Sequence, residues 1–192
     1  MPDDDVLFGT RILLRAPQVA DAAVLFAAVT SDPKVTEYLR WAPHPDVDET
    51  RRVIRELFNV GDDHTWLVVL RDSGEVIGQL GYRRPQVHAA EMGYCMAARW
   101  WGRGLMSEAI GVALQRLQLD PQLLLVTAAV HVDNARSARL LDRCGFELQG
   151  RAVRHTVFPN LSLESARLPA LRAVDEIVPV GGGRSWFIYF AS

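Results

Sequence analysis

The spacing of apolar positions changes period several times along this chain, and each change marks an element. Arg11 to Arg15, RILLR, is a short apolar run bounded by arginines and predicts a first strand. From Val19 to Val29 the apolar residues Val19, Ala22, Ala23, Phe26 and Val29 recur at three and four, which is helical spacing, and Asp21 falls in the first turn, where a carboxylate suits the dipole. Asp32 before Pro33 reads as an N-cap with proline at the first helical position, opening a short helix through Tyr38. Pro43, His44 and Pro45 break the chain. Asp48 is then placed to cap a third helix with Val53, Ile54, Leu57 and Phe58 on one face.

The middle of the chain turns strand-like. Thr65 to Leu70, TWLVVL, reads as a buried strand, and Asp72, Ser73 and Gly74 turn it into a second hairpin arm at Val76 to Tyr82. Pro85 and Gln86 lead to a strand carrying Glu91. The stretch Glu91 to Leu114, EMGYCMAARWWGRGLMSEAIGVAL, then runs from strand through a turn at Gly102 and Gly104 into a helix ending near Leu119. Leu123 to Val130 is a continuous apolar run, as in a strand covered on both faces and paired in parallel. Asn134 starts a helix with Ala138, Leu141 and Cys144 toward the core, Gly145 stops it, and Phe146 to Phe158 returns to strand. Pro159 to Gly183 reads as a long irregular excursion before a last strand, Trp186 to Phe190.

Composition narrows the class. The 192 residues suit one domain, and 49% hydrophobic with 23% charged residues are globular proportions without any apolar run of the ~20 residues that spans a bilayer. A formal net charge of -2 and the lack of a basic run speak against nucleic acid. Asp3, Asp4 and Asp5 stand where a secretory signal would be basic, so a cytoplasmic protein without a membrane partner is expected. The two cysteines, Cys95 and Cys144, are too few for a disulfide framework or a cysteine-only zinc site and fit reduced core thiols.

The chemistry concentrates at the glycine turn. A strand, a tight loop and a helix N-terminus can aim several unpaired backbone N–H groups at one point, where the dipole adds positive potential, so a phosphate or pyrophosphate is the natural occupant. Arg103 can add a charge-assisted contact. The plainer alternative is a turn with Trp100 and Trp101 as core aromatics.

With the order strand, helices, hairpin, then strand, loop, helix, strand, helix, strand, the chain predicts a mixed α/β sheet in three layers. At this point it resembles the GNAT superfamily of N-acetyltransferases, and within it the Rim-type branch that includes ribosomal-protein N-terminal acetyltransferases. The residues that carry the resemblance are LLR at Leu13 to Arg15, VTEYLRW at Val35 to Trp41, EMGY at Glu91 to Tyr94, WWGRGLMSEA at Trp100 to Ala109 and NARSARLLDRCGFELQG at Asn134 to Gly150, within residues 7–158. The resemblance implies a mostly antiparallel central sheet with helices on both faces and a splayed parallel strand pair holding CoA. It implies a single domain over residues 1–192 with an atypical C-terminal segment at 159–192. It also implies acetyl-CoA as co-substrate with no metal, and an amine acceptor, either a peptide N-terminus or a small molecule, in a monomer or homodimer.

In the family the loop is written as Gln or Arg, two variable residues, Gly, one variable residue, then Gly or Ala. Two registers fit here, one on Arg99, Gly102 and Gly104, the other on Trp101, Gly104 and Met106, where Met106 replaces a small residue. In either, backbone N–H groups across Trp101, Gly102, Arg103, Gly104, Leu105 and Met106 are expected to hold the pyrophosphate. Backbone groups of Cys95 and Met96 are expected to pair with the pantetheine amides, and Asn134 to reach that arm or simply to cap its helix. Glu91 is the candidate general base, the other reading being an ion pair with an arginine such as Arg83. Many family members carry a tyrosine where this chain has Leu141; Ser137, one turn earlier, is the candidate partner of the departing thiolate or an ordinary surface serine. Tyr38, Arg40 and Trp41 are expected along the acceptor groove, unless Tyr38 and Trp41 are core aromatics.

Two functions from different classes follow: acetyl transfer to an amine, or a degenerate acyl-CoA-binding module acting through a partner. A Rossmann-type dinucleotide site is disfavoured because the glycine loop sits late in the chain and lacks the G-x-G-x-x-G spacing.

Overall fold

The computed structural model describes residues 6–152, 158–161 and 185–191. The acidic start at Asp3 to Asp5, the end of the strand expected up to Phe158, and most of the excursion from Pro159 to Gly183 lie outside the described residues. Among these, eight strands form one sheet in the order β1-β2-β3-β4-β5-β6-β8-β7. They are β1 (Leu7–Phe8), β2 (Ile12–Arg15), β3 (Asp63–Leu70), β4 (Val76–Gln86), β5 (Ala89–Met96), β6 (Leu125–His131), β7 (Glu147–Ala152) and β8 (Ser185–Ala191). Neighbours from β1 to β5 are antiparallel, while β5 with β6, β6 with β8 and β8 with β7 are parallel. The last two strands, β7 and β8, are therefore parallel neighbours and not a hairpin.

Among the described residues, five α-helices cover the two faces: α1 (Ala22–Leu25), α2 (Pro33–Thr36), α3 (Val47–Glu56), α4 (Leu105–Leu117) and α5 (Ala135–Arg143). One core layer joins Ile12, Leu14, Ile77, Leu80, Met92 and Val126 from the sheet to Leu105, Ala109, Ile110 and Leu141 from α4 and α5. The other joins Leu67, Val69 and Cys95 to Ala22, Leu25, Val29 and Ile54. Two buried faces explain why β3 and β6 are almost wholly apolar instead of alternating.

Three local expectations are corrected. The first helix is a composite, a 3-10 turn at Val19–Asp21, then α1, then a π turn at Phe26–Thr30 closed by Ser31 N–H to the Phe26 carbonyl at 3.2 Å. Its buried face is Ala22, Leu25 and Val29, at helical spacing, whereas Val19 in the 3-10 turn is exposed. The α3 cap is Asp46, not Asp48: Asp46 Oδ1 accepts the Glu49 N–H at 2.8 Å. Of the four apolar residues expected on that helix face only Ile54 is buried, and Leu57 lies half-exposed past its last turn.

Candidate active site

The parallel pairing of β5 with β6 runs from Ala89 opposite Leu125 to Met92 opposite Ala128 and stops there, although β5 continues to Met96 and β6 to His131. Beyond Met92 the strands part. The gap opens into a cleft of about 960 Å³ whose walls come from β5, the loop before α4, the start of α5 and the segment after α2.

Geometry decides which backbone groups face the gap. Ala97 N–H bonds the Ile77 carbonyl at 2.8 Å, so residues 93, 95 and 97 turn their main chains to β4, and residues 94 and 96 turn theirs to the gap. Met96 turns its main chain to the gap. Cys95 turns its own to β4, against the expectation that it faces the gap, and its buried thiol, pushed up to about 12 by burial, belongs to the core. The Met96 carbonyl accepts the Trp101 indole N–H at 2.7 Å, which pins the loop to the end of β5.

The loop has the form the phosphate reading needs. Gly102 and Gly104 sit at φ 76 and 75, the left-handed region, and Gly104 is the residue before α4. The first intrahelical bond is Glu108 N–H to the Gly104 carbonyl, so helix geometry leaves the N–H groups of Leu105, Met106 and Ser107 without acceptors inside the helix. Five basic residues line the cleft, Lys34, Arg40, Arg136, Arg139 and Arg143, against three acidic ones, Glu37, Glu91 and Asp133. Outward N–H groups and an excess of cations fit the polyphosphate of CoA.

Other loop residues serve the scaffold. Arg103 stacks its guanidinium 4.6 Å from the Trp100 ring, and its carbonyl accepts Arg11 Nη1 at 2.9 Å. Glu108 on α4 accepts Arg11 N–H at 2.6 Å, Arg11 Nε at 2.8 Å and Ile12 N–H at 3.4 Å, tying loop and helix to β2. Arg99 pairs with Glu75 and is not among the residues lining the cleft, whereas Trp101, Gly102, Gly104 and Met106 are. Met106 is 5% exposed and places most of its bulk in the core.

Glu91 combines both readings of its role: it is 8% exposed, lines the cleft, and lies 3.0 Å from Arg83 Nη2 and 3.4 Å from Arg40 Nη2. Arg83 is its cross-strand partner, so the pair is a consequence of register. The arginines balance a charge that would be costly to bury alone. Asn134 caps α5, Oδ1 accepting the Ser137 N–H at 3.1 Å, and also lines the cleft. Ser137 Oγ is 2.6 Å from the Tyr94 hydroxyl. Tyr38 lines the cleft, its ring 5.3 Å from that of His131, whereas Trp41 packs on His44 and gives its carbonyl to Asn160 Nδ2 at 2.9 Å.

Sequence reasoning overlooks four residues here. Tyr94 lies within the quoted EMGY but receives no role there. Arg136 stacks over Trp101 at 3.9 Å; a cation in the first turn of α5 opposes the helix dipole, and that was a legible sign of another purpose. His131 is 4% exposed, accepts the Asp133 N–H at Nδ1 (3.2 Å), and is held below the usual histidine value by burial. Phe158 meets His131 edge-on at 4.9 Å. No sequence spacing connects these last two.

Comparison with known proteins places residues 11–147 on the model of a family described as acetyltransferase (GNAT) domain. The uncharacterized N-acetyltransferase p20 of Bacillus licheniformis is 30% identical over 151 residues, 76% of this chain and 84% of that protein. The ribosomal protein uS5-alanine N-acetyltransferase of Escherichia coli K12 is 36% identical over 84 residues, 42% of this chain and 43% of that one. Among solved structures, the ribosomal alpha-N-protein acetyltransferase RimL in complex with coenzyme A superposes with a TM-score of 0.67 at 21% identity, covering 76% of this chain and 84% of that chain.

Proposed function

The chain belongs to the acetyltransferase (GNAT) domain family, and from that premise we propose that it is of the Rim-type branch and moves an acetyl group from acetyl-CoA to a primary amine by direct attack. The observation that carries this reading is the junction at the end of β5: a left-handed glycine loop and an open helix N-terminus at the mouth of a strand gap, with a buried carboxylate on the adjoining strand. Acetyl-CoA supplies the activated acyl group; Leu105, Met106 and Ser107 N–H groups with Arg136 and Lys34 hold its phosphates, and the Met96 backbone guides the arm.

An alkylammonium is mostly protonated near neutrality, so a proton must leave before nitrogen can attack. Glu91 takes that role, directly or through water, with Arg40 and Arg83 fixing its orientation. Ser137 hydrogen-bonds the departing sulfur. Tyr38 and Arg40 line the acceptor end; the printed names of the uS5-alanine enzyme and of RimL support a protein N-terminus as the acceptor, in the cytoplasm, with a small-molecule amine as the other source of the same group.

The test is acetyl-CoA-dependent thiol release against N-terminal peptides, amino acids, polyamines and aminoglycosides, beside calorimetric titration of CoA. Glu91→Gln is expected to lower kcat at least about tenfold at neutral pH, the usual cost of losing a general base, with the acetyl-CoA KM nearly unchanged. Turnover untouched by that substitution removes Glu91 from the mechanism, and CoA binding without turnover on any amine supports the degenerate binding module.

A further inference from the structure

Tyr94 is a titratable group on the cleft wall that the mechanism above leaves unused. It stands two residues past Met92, the last β5 residue paired with β6, so its side chain leaves the strand where the gap begins. Alternation puts it on the face shared with Met92 and Met96, against α4 and α5, where it packs on the core. Its hydroxyl reaches across the gap to Ser137, 2.6 Å from Oγ and 3.5 Å from the carbonyl oxygen.

A separation of 2.6 Å is at the short end for two hydroxyls, and one proton lies between them. Each group has one proton, so the pair presents the second one elsewhere. Phenol is the more acidic partner and the better donor. Burial pushes the Tyr94 phenol up, so it keeps its proton across the neutral range. The Ser137 N–H, bonded to Asn134 Oδ1 at 3.1 Å, fixes the serine from the other side.

We propose that Tyr94 is a positioning residue for departure of the thiol: its hydroxyl donates to Ser137 Oγ and thereby directs the serine proton at the sulfur. The proposal rests on the reading that Ser137 contacts that sulfur. As the carbon–sulfur bond breaks, its electron pair stays on sulfur and the serine hydrogen bond stabilises the charge. No proton leaves either hydroxyl, and the thiolate is protonated by solvent. Leu141, where many family members carry a tyrosine, is fully buried, so in this chain the phenol of the site comes from the strand across the gap.

Tyr94→Phe, Ser137→Ala and the double variant test this by kcat, the acetyl-CoA KM and thermal unfolding. Each single substitution is expected to lower kcat about tenfold, the effect of one hydrogen bond to a charged group, with KM within about twofold. The double variant is expected to be no slower than Ser137→Ala, because Tyr94 acts only through the serine. Ser137→Thr, which keeps a hydroxyl, restores most turnover together with its dependence on Tyr94. A structural loss would persist in the Ser137→Ala background, and an additive double variant overturns the proposal. So does a Tyr94→Phe enzyme at full rate beside a slow Ser137→Ala enzyme, an outcome that leaves the serine reading intact. A Ser137→Ala enzyme at full rate sinks both.

Discussion

Replacing Glu108 by glutamine removes the charge that ties the glycine loop to β2 while keeping the shape of the side chain. The carboxylate now receives Arg11 N–H at 2.6 Å and Ile12 N–H at 3.4 Å on one oxygen and Arg11 Nε at 2.8 Å on the other. Glutamine has one acceptor oxygen, so its NH2 must face a donor. The Arg11 guanidinium is 51% exposed and its share is discounted for solvent screening; the main-chain bonds to an oxygen of a side chain only 16% exposed carry most of the loss. One charge-assisted bond at about 2 kcal/mol is a reasonable sum, or roughly 4–8 °C in melting temperature for a chain of this size. Burial opposes the Glu108 charge, but the bonds from the Arg11 main chain and guanidinium and from Ile12 outweigh it and hold the carboxyl below its ordinary 4.5. A depressed value means the stabilisation is present in full above the unfolded-state value and is lost as pH falls through the folded-state one. Melting curves of both proteins from neutral pH downward are therefore expected to differ most at neutrality and to draw together as pH falls below the ordinary glutamate value of 4.5. Because Arg11 also holds the Arg103 carbonyl, the variant's acetyl-CoA KM rises. Equal melting temperatures at pH 7, or a gap that persists unchanged to pH 3, would refute the assignment.

Gly104→Ala tests the loop itself. A Cβ there lies 3.5 Å from Arg11 Nη2, an ordinary contact, so the penalty is the left-handed backbone, about 1–2 kcal/mol, and CoA affinity by calorimetry is expected to fall about 5–30-fold as the loop relaxes. An unchanged affinity would mean the N–H groups after Gly104 do not hold the phosphates. Arg136→Gln removes the cation stacked on Trp101, and CoA binding is expected to weaken severalfold at low salt and much less at about 1 M, where charges are screened within a few ångströms. A loss of equal size at both ionic strengths would assign Arg136 a packing role instead.

Much of the fold was legible because the strongest signals are local. The mainly apolar run of β6 fits a strand covered on both faces, and a helix between it and β5 provides the crossover that parallel pairing needs. Asp32 with Pro33, Asn134 and Gly145 mark helix ends through chemistry confined to a few residues, and each stands where its capping or stop chemistry placed it. The sequence reading put the α3 cap on Asp48, whereas the cap is Asp46, two residues earlier, because the chain turns into the helix there and Asp46 Oδ1 reaches the Glu49 N–H.

The loop's form was likewise written in the sequence, since a glycine pair between strand and helix limits what the backbone can do there. Which groups share the cleft was decided by the tertiary structure. Strand register sets Glu91 beside Arg83, alternation along β5 turns Met96 to the gap and Cys95 away from it, and the end of pairing at Met92 brings Tyr94 to Ser137, 43 positions further along the chain. His131, Tyr38 and Phe158 meet for the same reason. Local sequence fixes periods, caps and turns because those interactions span a few residues; contacts across a splayed strand pair depend on where a ladder stops, a property of the whole sheet that no local spacing encodes.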